Sequence, residues 1–177
     1  MRRWRHKGRA IAASKRIELT APASADADAL VAAVRSSADL LHPWVYAPAS
    51  AVAAIAWIER VKLADTEAHL AWVDETLVAV VNINNLTRGG FQSGALGYYG
   101  FSATAGHGYV REAVSLVVAR GFGELELHRL EANIQPGNDR SRKLAQALGF
   151  RLEGFSPKFL RIDGQWRDHE RWAMVRQ

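Results

Sequence analysis

Two short stretches of this chain carry residue types that could do chemistry. The first is Leu96 to Glu112, LGYYGFSATAGHGYVRE. An aromatic, strand-like run (Tyr98, Tyr99, Phe101) stops at a small-residue loop, and Gly106-His107-Gly108 then opens a long apolar helix. Two glycines let the backbone turn sharply and gather several N–H groups at one point, and the helix start adds unpaired donors and the positive end of its dipole. Such a turn suits a phosphate or diphosphate held by backbone alone. It equally suits the plain start of a packed helix. The second stretch is Asn138-Asp139-Arg140-Ser141, where Asn138 and Ser141 stand three apart at a helix start and, taken alone, read as capping residues.

Spacing excludes two familiar phosphate chemistries. A dinucleotide fingerprint needs a third glycine three residues after the second, and that position is Arg111; a Walker loop needs Gly-Lys-Ser/Thr, which the chain lacks.

The elements that must position these residues can be read from periodicity and punctuation. Arg16–Thr20 alternates as a strand and is ended by Ala21-Pro22. Ser24-Ala25-Asp26 caps a helix predicted to run to about Asp39, and a second helix spans about Ser50 to Lys62. Between them lies an irregular, proline-framed segment, LHPWVYAP. Ala68–Val73 and Thr76–Asn82 form a hairpin around Asp74-Glu75, and the polar loop NNLTRGGFQSG separates it from the aromatic strand. Within that loop, Leu86–Gly94 is a candidate substrate-side flap. The glycine-opened helix runs to about Arg120, a strand covers Leu130–Ile134, and a helix runs from Asp139 to Leu148, stopped by Gly149. Strands at Arg151–Arg161 and Glu170–Val175 flank Asp163-Gly164. The order predicts a mixed α/β domain with an antiparallel half and one parallel crossover. A ligand at the glycine turn would then sit beside the carboxyl end of a central strand.

Bulk properties narrow the class. A chain of 177 residues with 49% hydrophobic residues suits one globular domain with a sizeable core. No apolar run approaches the roughly 18–20 residues that span a bilayer, so no membrane partner is expected. The absence of cysteine excludes disulfides, thiolate metal sites and a cysteine nucleophile, and the six histidines show no metal-ligand spacing, so no metal is expected. A cytoplasmic location fits the missing cysteines and the lack of an apolar signal core. The net charge of +5 is unevenly spread: residues 1–16 hold seven basic residues and no acid, leaving 16 basic against 18 acidic, a net of −2. Residues 1–15 are therefore expected to be a basic arm, disordered in whole or part, that either touches RNA or the ribosome or is merely solvated, ahead of a folded domain at 16–177.

The two stretches together resemble the Gcn5-related N-acetyltransferase (GNAT) family. The glycine turn is similar to that family's R/Q-x-x-G-x-G/A loop, and Asn138–Ser141 with Leu148-Gly149-Phe150 is similar to its N-x-x-S…LGF element. GALGYYGF, GHGYVREAV, LHRLEAN, NDRSRKLAQALGFRLEGF and IDGQWRDHERWAM further resemble the Rim-type ribosomal-protein alanine N-alpha-acetyltransferases, from about Asn82 onward, and LLHPWVYAP is similar to that group's LxPWL stretch. One departure stands out: Ala103 occupies the first, R/Q position, so a side-chain donor is missing and backbone, His107 or a neighbouring arginine must carry more of the binding.

The resemblance implies the GNAT fold, a mixed, mostly antiparallel sheet of about seven strands splayed at the fourth and fifth and flanked by about four helices. It implies acetyl-CoA as co-substrate and a primary amine as acceptor: the N-terminal alanine or serine of a ribosomal protein, or alternatively a small amine such as a polyamine, amino acid or antibiotic. A non-catalytic acyl-CoA- or RNA-binding module is the third alternative. The implied cofactor contacts are Tyr99, Gly100, Phe101 and Ser102 on the splayed strand, Ala105, Gly106, His107, Gly108 and Tyr109 at the turn, and Asn138 and Ser141. Ser141 is expected to position or protonate the departing thiolate, and Asn133 and Glu131 to hold a water that takes the amine's proton. Glu112 is expected to be structural, and Trp44 to wall an acceptor groove. Monomer and homodimer both remain open.

Overall fold

Strand β3 (Glu67–Val73) and the Leu77–Val81 run of β4 (Thr76–Thr87) are largely apolar, and the computed structural model, which describes residues 9–63 and 65–177, buries them from both sides. They lie inside one eight-stranded sheet with β1 (Ala10–Ala13), β2 (Glu18–Thr20), β5 (Ser93–Gly100), β6 (Arg129–Ile134), β7 (Arg151–Ile162) and β8 (Gln165–Val175). The order is β1-β2-β3-β4-β5-β6-β8-β7, and every neighbouring pair is antiparallel except β5 with β6. On one face, α4 (Tyr109–Phe122) and α5 (Asp139–Ala147) cover Ile83, Leu96, Leu130 and Ala132. On the other, α1 (Ala27–Arg35), α2 (Ala38–Leu41) and α3 (Ala51–Arg60) cover Leu70, Trp72, Val80 and Phe101. Burial on both faces explains why these strands lack polar alternation.

Several expectations are corrected in detail. The sheet has eight strands rather than seven because the uncharged run Ala10–Ala13 pairs with Glu18–Thr20. This strand belongs to the stretch expected to be a basic arm; residues 1–8 of that arm, Trp4 among them, lie outside the described residues. The helix expected from Ser24 to Asp39 is a 3-10 turn followed by α1 and α2, raising the count to five helices among the described residues. Its break lies at Ser36-Ser37: Ser36 Oγ donates to Ala33 O (3.1 Å), and the buried Ser37 Oγ accepts the Ser102 N–H (2.9 Å). Serine hydroxyls compete with the helix for backbone partners, and here they win.

The Leu86–Gly94 loop is shorter than expected and is not a flap over the site. β4 continues to Thr87 through a register shift and β5 begins at Ser93, so the turn spans only residues 88–92. It is pinned to the far end of α4, with Arg88 donating to Leu125 O and Gln92 O accepting the His128 N–H (2.6 Å). Along β5 that turn lies about 20 Å from Tyr99. The tryptophans, expected as core or groove walls, divide: Trp72 and Trp172 are buried in the core, whereas Trp166 is 61% exposed on the β7–β8 hairpin.

His69 on β3 is fully buried beneath α4, with one ring nitrogen, Nδ1, 3.1 Å from Val81 O. Desolvation lowers its pKa from 6.5 to about 4, against the opposing hydrogen bond to Val81; Arg120 adds to the lowering and Glu124 opposes it. Glu67 Oε2 stands 3.9 Å from Nε2. Because the folded state disfavours the imidazolium, this stability is complete above pH 6.5 and is lost as pH falls from 6.5 toward 4, by up to about 3 kcal/mol. Urea unfolding across that range is expected to show the loss in the native protein and a flatter dependence in a His69→Asn variant; parallel curves would contradict it.

Candidate active site

The site begins where β5 and β6 part. Their parallel pairing runs from Ser93↔Arg129 to Leu96↔Ala132 and stops, although β5 continues to Gly100 and β6 to Ile134. Backbone groups of β5 beyond Leu96 therefore face an opening rather than a neighbouring strand. Adjacent residues of a strand point to opposite faces. Tyr98 accordingly reaches the α5 side, and Tyr99 the opposite side, where its ring meets Phe101 edge-on at 5.7 Å. Gly100 is required by packing: a Cβ there would collide with the Val110 side chain in the first turn of α4.

The chain then makes a 3-10 turn at Ser102–Thr104 and reaches Gly106 (φ +83°) and Gly108 (φ +78°), both in the left-handed region that glycine enters without strain. The first bond of α4 is Glu112 N–H to Gly108 O at 3.1 Å, so the amides preceding Glu112 at the helix start have no acceptor within the helix. His107 locks the turn: its Nδ1 lies 3.0 Å from Ala105 O, and its ring stacks on Tyr109 at 5.5 Å and 8°. Arg16 also reaches this turn from the N-terminal segment. Its guanidinium lies 5.1 Å from the Tyr109 ring centroid, donates to His107 O (3.3 Å), and pairs with Glu112 (Nε to Oε2, 2.8 Å). Ser14 Oγ donates to the other oxygen of Glu112. Partial burial pushes the Glu112 carboxyl up, but the bonds from Ser14 and Arg16 outweigh it and hold the group below the usual range. Glu112 is thus a structural clamp.

α5 begins on the other side of the opening. Asn138 Oδ1 caps it by accepting the Ser141 N–H (3.2 Å), and the Ser141 hydroxyl lies 2.8 Å from the Tyr98 hydroxyl. Burial raises the pKa of Tyr98, with the Ser141 bond opposing, and raises that of Tyr99, so both phenols stay protonated. The starts of α4 and α5 converge on one cavity of about 820 Å³, with Arg111 and Arg140 also on its wall. Two helix N-termini make this an anion-attracting space, while the guanidinium groups of Arg111 and Arg140 share its wall with the carboxylates of Asp39 and Asp139. Leu41 and Trp44 form the opposite wall, and Gly137 leaves room for the indole, since a Cβ there would sit 3.2 Å from Trp44. A second cavity of about 540 Å³ shares Trp44 and Val45 and extends to the hairpin turn Arg161–Gly164.

The model of the acetyltransferase (GNAT) domain matches residues 16–151. The chain belongs to the GNAT acetyltransferase family. Two curated relatives are 38% identical over 102 residues: the probable N-acetyltransferase YjcK of Bacillus subtilis (strain 168) and the [ribosomal protein uS5]-alanine N-acetyltransferase of Escherichia coli (strain K12). Those matches cover 58% of this chain and 56% and 53% of the relatives, so the chain spans about half the length of the curated relatives it matches. A solved structure of Mycobacterium smegmatis RimJ in complex with CoA-disulfide superposes with a TM-score of 0.84 at 25% identity, covering 90% of this chain and 81% of that one.

Of the residues expected to serve a GNAT site, the structure gathers Tyr99, Gly100, Phe101, Ala105, Gly106, Gly108, Tyr109, Asn138 and Ser141 around the larger cavity, with Trp44 on its wall. Four expected residues stand off it. Ser102 gives its N–H to Ser37, and His107 turns its ring onto Tyr109. Glu131 and Asn133 project from β6 opposite Leu130, Ala132 and Ile134, which enter the core. Both Glu131 oxygens are held in ion pairs, with Arg129 Nε and Arg171 Nη2 at 2.8 Å each. Burial pushes Glu131 up, but these bonds outweigh it and keep it a carboxylate already paired. Asn133 Oδ1 is buried with no hydrogen-bond partner among the described residues. Tyr98 was missing from the expected set. Its signal was partial: two neighbouring strand tyrosines must face opposite sides of the sheet, so one of them had to lie on the side of α4 and α5.

Among the described residues no three His, Asp or Glu side chains gather as a metal site, and no helix is long and apolar enough to cross a membrane. Asp168, His169 and Glu170 on β8 have structural partners: Asp168 accepts the Lys158 N–H, His169 Nδ1 meets Arg167 O, and Glu170 binds Arg142 and Trp172.

Proposed function

We propose that the protein moves the acetyl group of acetyl-CoA to the α-amino group of a polypeptide, an N-terminal alanine or serine of a ribosomal protein. The observation that carries this reading is the convergence of the α4 and α5 N-termini on a cavity that opens, past Trp44, into a second groove. A diphosphate held on backbone amides suits the first part. No heavy atom lies within 4 Å of where a Cβ of Gly106 would stand, so an anion can approach the amides there closely. The relatives acting on a ribosomal protein alanine and the CoA-bound neighbour support the choice of acyl-CoA and acceptor.

Acetyl-CoA supplies an activated thioester; the residues supply position and charge. The amides from Gly106 to Tyr109 hold the diphosphate, joined by Arg16 in place of the side chain that Ala103 lacks. Backbone groups from Tyr99 to Phe101 align the pantetheine arm and polarise the thioester carbonyl, with Asn138 on the same arm. Ser141 protonates the departing sulfur. A free N-terminal amine has a pKa near 8, so much of it is neutral without a strong base. Glu131 is committed to Arg129 and Arg171 and Asn133 stands off the cavity, so the amine's surplus proton passes to solvent water.

Arg16 is half exposed, so its contribution is screened. Arg16→Ala is expected to raise the Kd for acetyl-CoA about threefold to tenfold by titration calorimetry; an unchanged Kd would remove Arg16 from the site. The function itself is tested by acetyl-CoA turnover against peptides beginning with alanine, serine or bulkier residues, alongside polyamines, amino acids and aminoglycosides. Turnover confined to alanine and serine peptides is expected. Turnover confined to small amines would replace the acceptor, and binding without turnover would remove the enzymatic reading.

A further inference from the structure

A serine in the first turn of a helix ordinarily bends back to cap the backbone. Ser141 has no such task, because the N-cap position belongs to Asn138, whose Oδ1 accepts the Ser141 N–H (3.2 Å). Its hydroxyl instead meets Tyr98, which crosses to α5 only because β6 stopped pairing with β5 at Leu96.

Either hydroxyl could donate across this contact. The Tyr98 hydroxyl has one proton and two acceptors nearby, Ser141 Oγ at 2.8 Å and Ser141 O at 3.4 Å. The shorter contact falls within the ordinary range for hydroxyl pairs and the longer lies beyond it. Of the two acceptors Oγ is thus the better placed for the Tyr98 proton. With Tyr98 as donor, Ser141's own proton is free to point into the cavity that both residues border.

We infer that Tyr98 is a positioning residue that holds the Ser141 hydroxyl with its proton aimed at the cofactor sulfur. The inference rests on the role proposed above for Ser141. In the step itself the acceptor nitrogen bonds to the acyl carbon, the C–S bond breaks, and its electron pair leaves on sulfur. Sulfur takes the Ser141 proton, Ser141 regains one from solvent, and the amine's surplus proton passes to solvent. The Tyr98 proton stays in place throughout, as suits a buried phenol that resists ionisation.

The test is a double-mutant cycle on kcat at saturating acetyl-CoA and peptide, with the acetyl-CoA Kd measured for each variant. Tyr98→Phe keeps the ring and removes one oxygen. It is expected to lower kcat about tenfold, the scale of one oriented hydrogen bond, with Kd unchanged. In a Ser141→Ala background the same change is expected to lower kcat no further. An undiminished kcat in Tyr98→Phe, an equal loss in both backgrounds, or a loss of acetyl-CoA binding in Tyr98→Phe would each overturn the inference. If Ser141→Ala alone leaves kcat intact, the role of Ser141 falls instead.

Discussion

Replacing Ser141 with alanine is expected to lower kcat about 10²-fold and leave the Kd for acetyl-CoA within about twofold. General acids contribute roughly 10² to 10⁴. Two features place this one at the low end. A thiol with a pKa near 8.5 leaves tolerably as thiolate without a proton. The N-terminus of α5, where Ser141 sits, also stabilises negative charge, and that dipole survives the substitution. The cap survives too, since Asn138 receives the Ser141 backbone N–H rather than its side chain. Rapid-quench kinetics at saturating acetyl-CoA separates chemistry from binding. A variant with undiminished single-turnover rate would end the proton-donor role.

The Gly106→Ala, Gly108→Ala double variant is expected to weaken acetyl-CoA binding about 100-fold. Part of the effect is conformational: both residues have φ near +80°, where an L-residue is strained by roughly 1–2 kcal/mol. That strain acts on stability whether or not a ligand binds at the turn. The larger part depends on the ligand. A methyl at Gly106 enters space that no protein atom occupies, so in a merely structural turn it disturbs nothing else. In a diphosphate cradle it keeps the anion off the amides. A fall in melting temperature with an unchanged Kd would mean that the turn only starts a helix.

Local signals made much of the site legible in the sequence. Gly106 and Gly108 announce the turn, Gly149 ends α5, and Asn138 marks a capped helix start, because each follows from backbone chemistry within a few residues. The resemblance to GNAT proteins then implied the diphosphate of acetyl-CoA as the anion. What stayed hidden depends on partners distant in the chain. Ser37 breaks a helix because it bonds Ser102, Arg16 reaches the turn across 91 residues to His107, and Glu131 is occupied by Arg171, 40 positions away. β1 was concealed by the flanking Arg9 and Lys15, since charge count obscured four apolar residues able to pair with Glu18–Thr20. The polar loop after Asn82 looked like a flap because nothing local reveals a bulged hairpin docked on the far end of α4.

Transfer of acetyl from acetyl-CoA to a polypeptide α-amine is what we propose for this domain. Tandem mass spectrometry tests it most directly, on a peptide with an N-terminal alanine and an internal lysine incubated with the protein and acetyl-CoA. Acetyl is expected on the N-terminal fragment ions alone, growing with time and with enzyme. Acetyl on the lysine alone, or a peptide left unmodified while a small amine is acetylated under the same conditions, would contradict it.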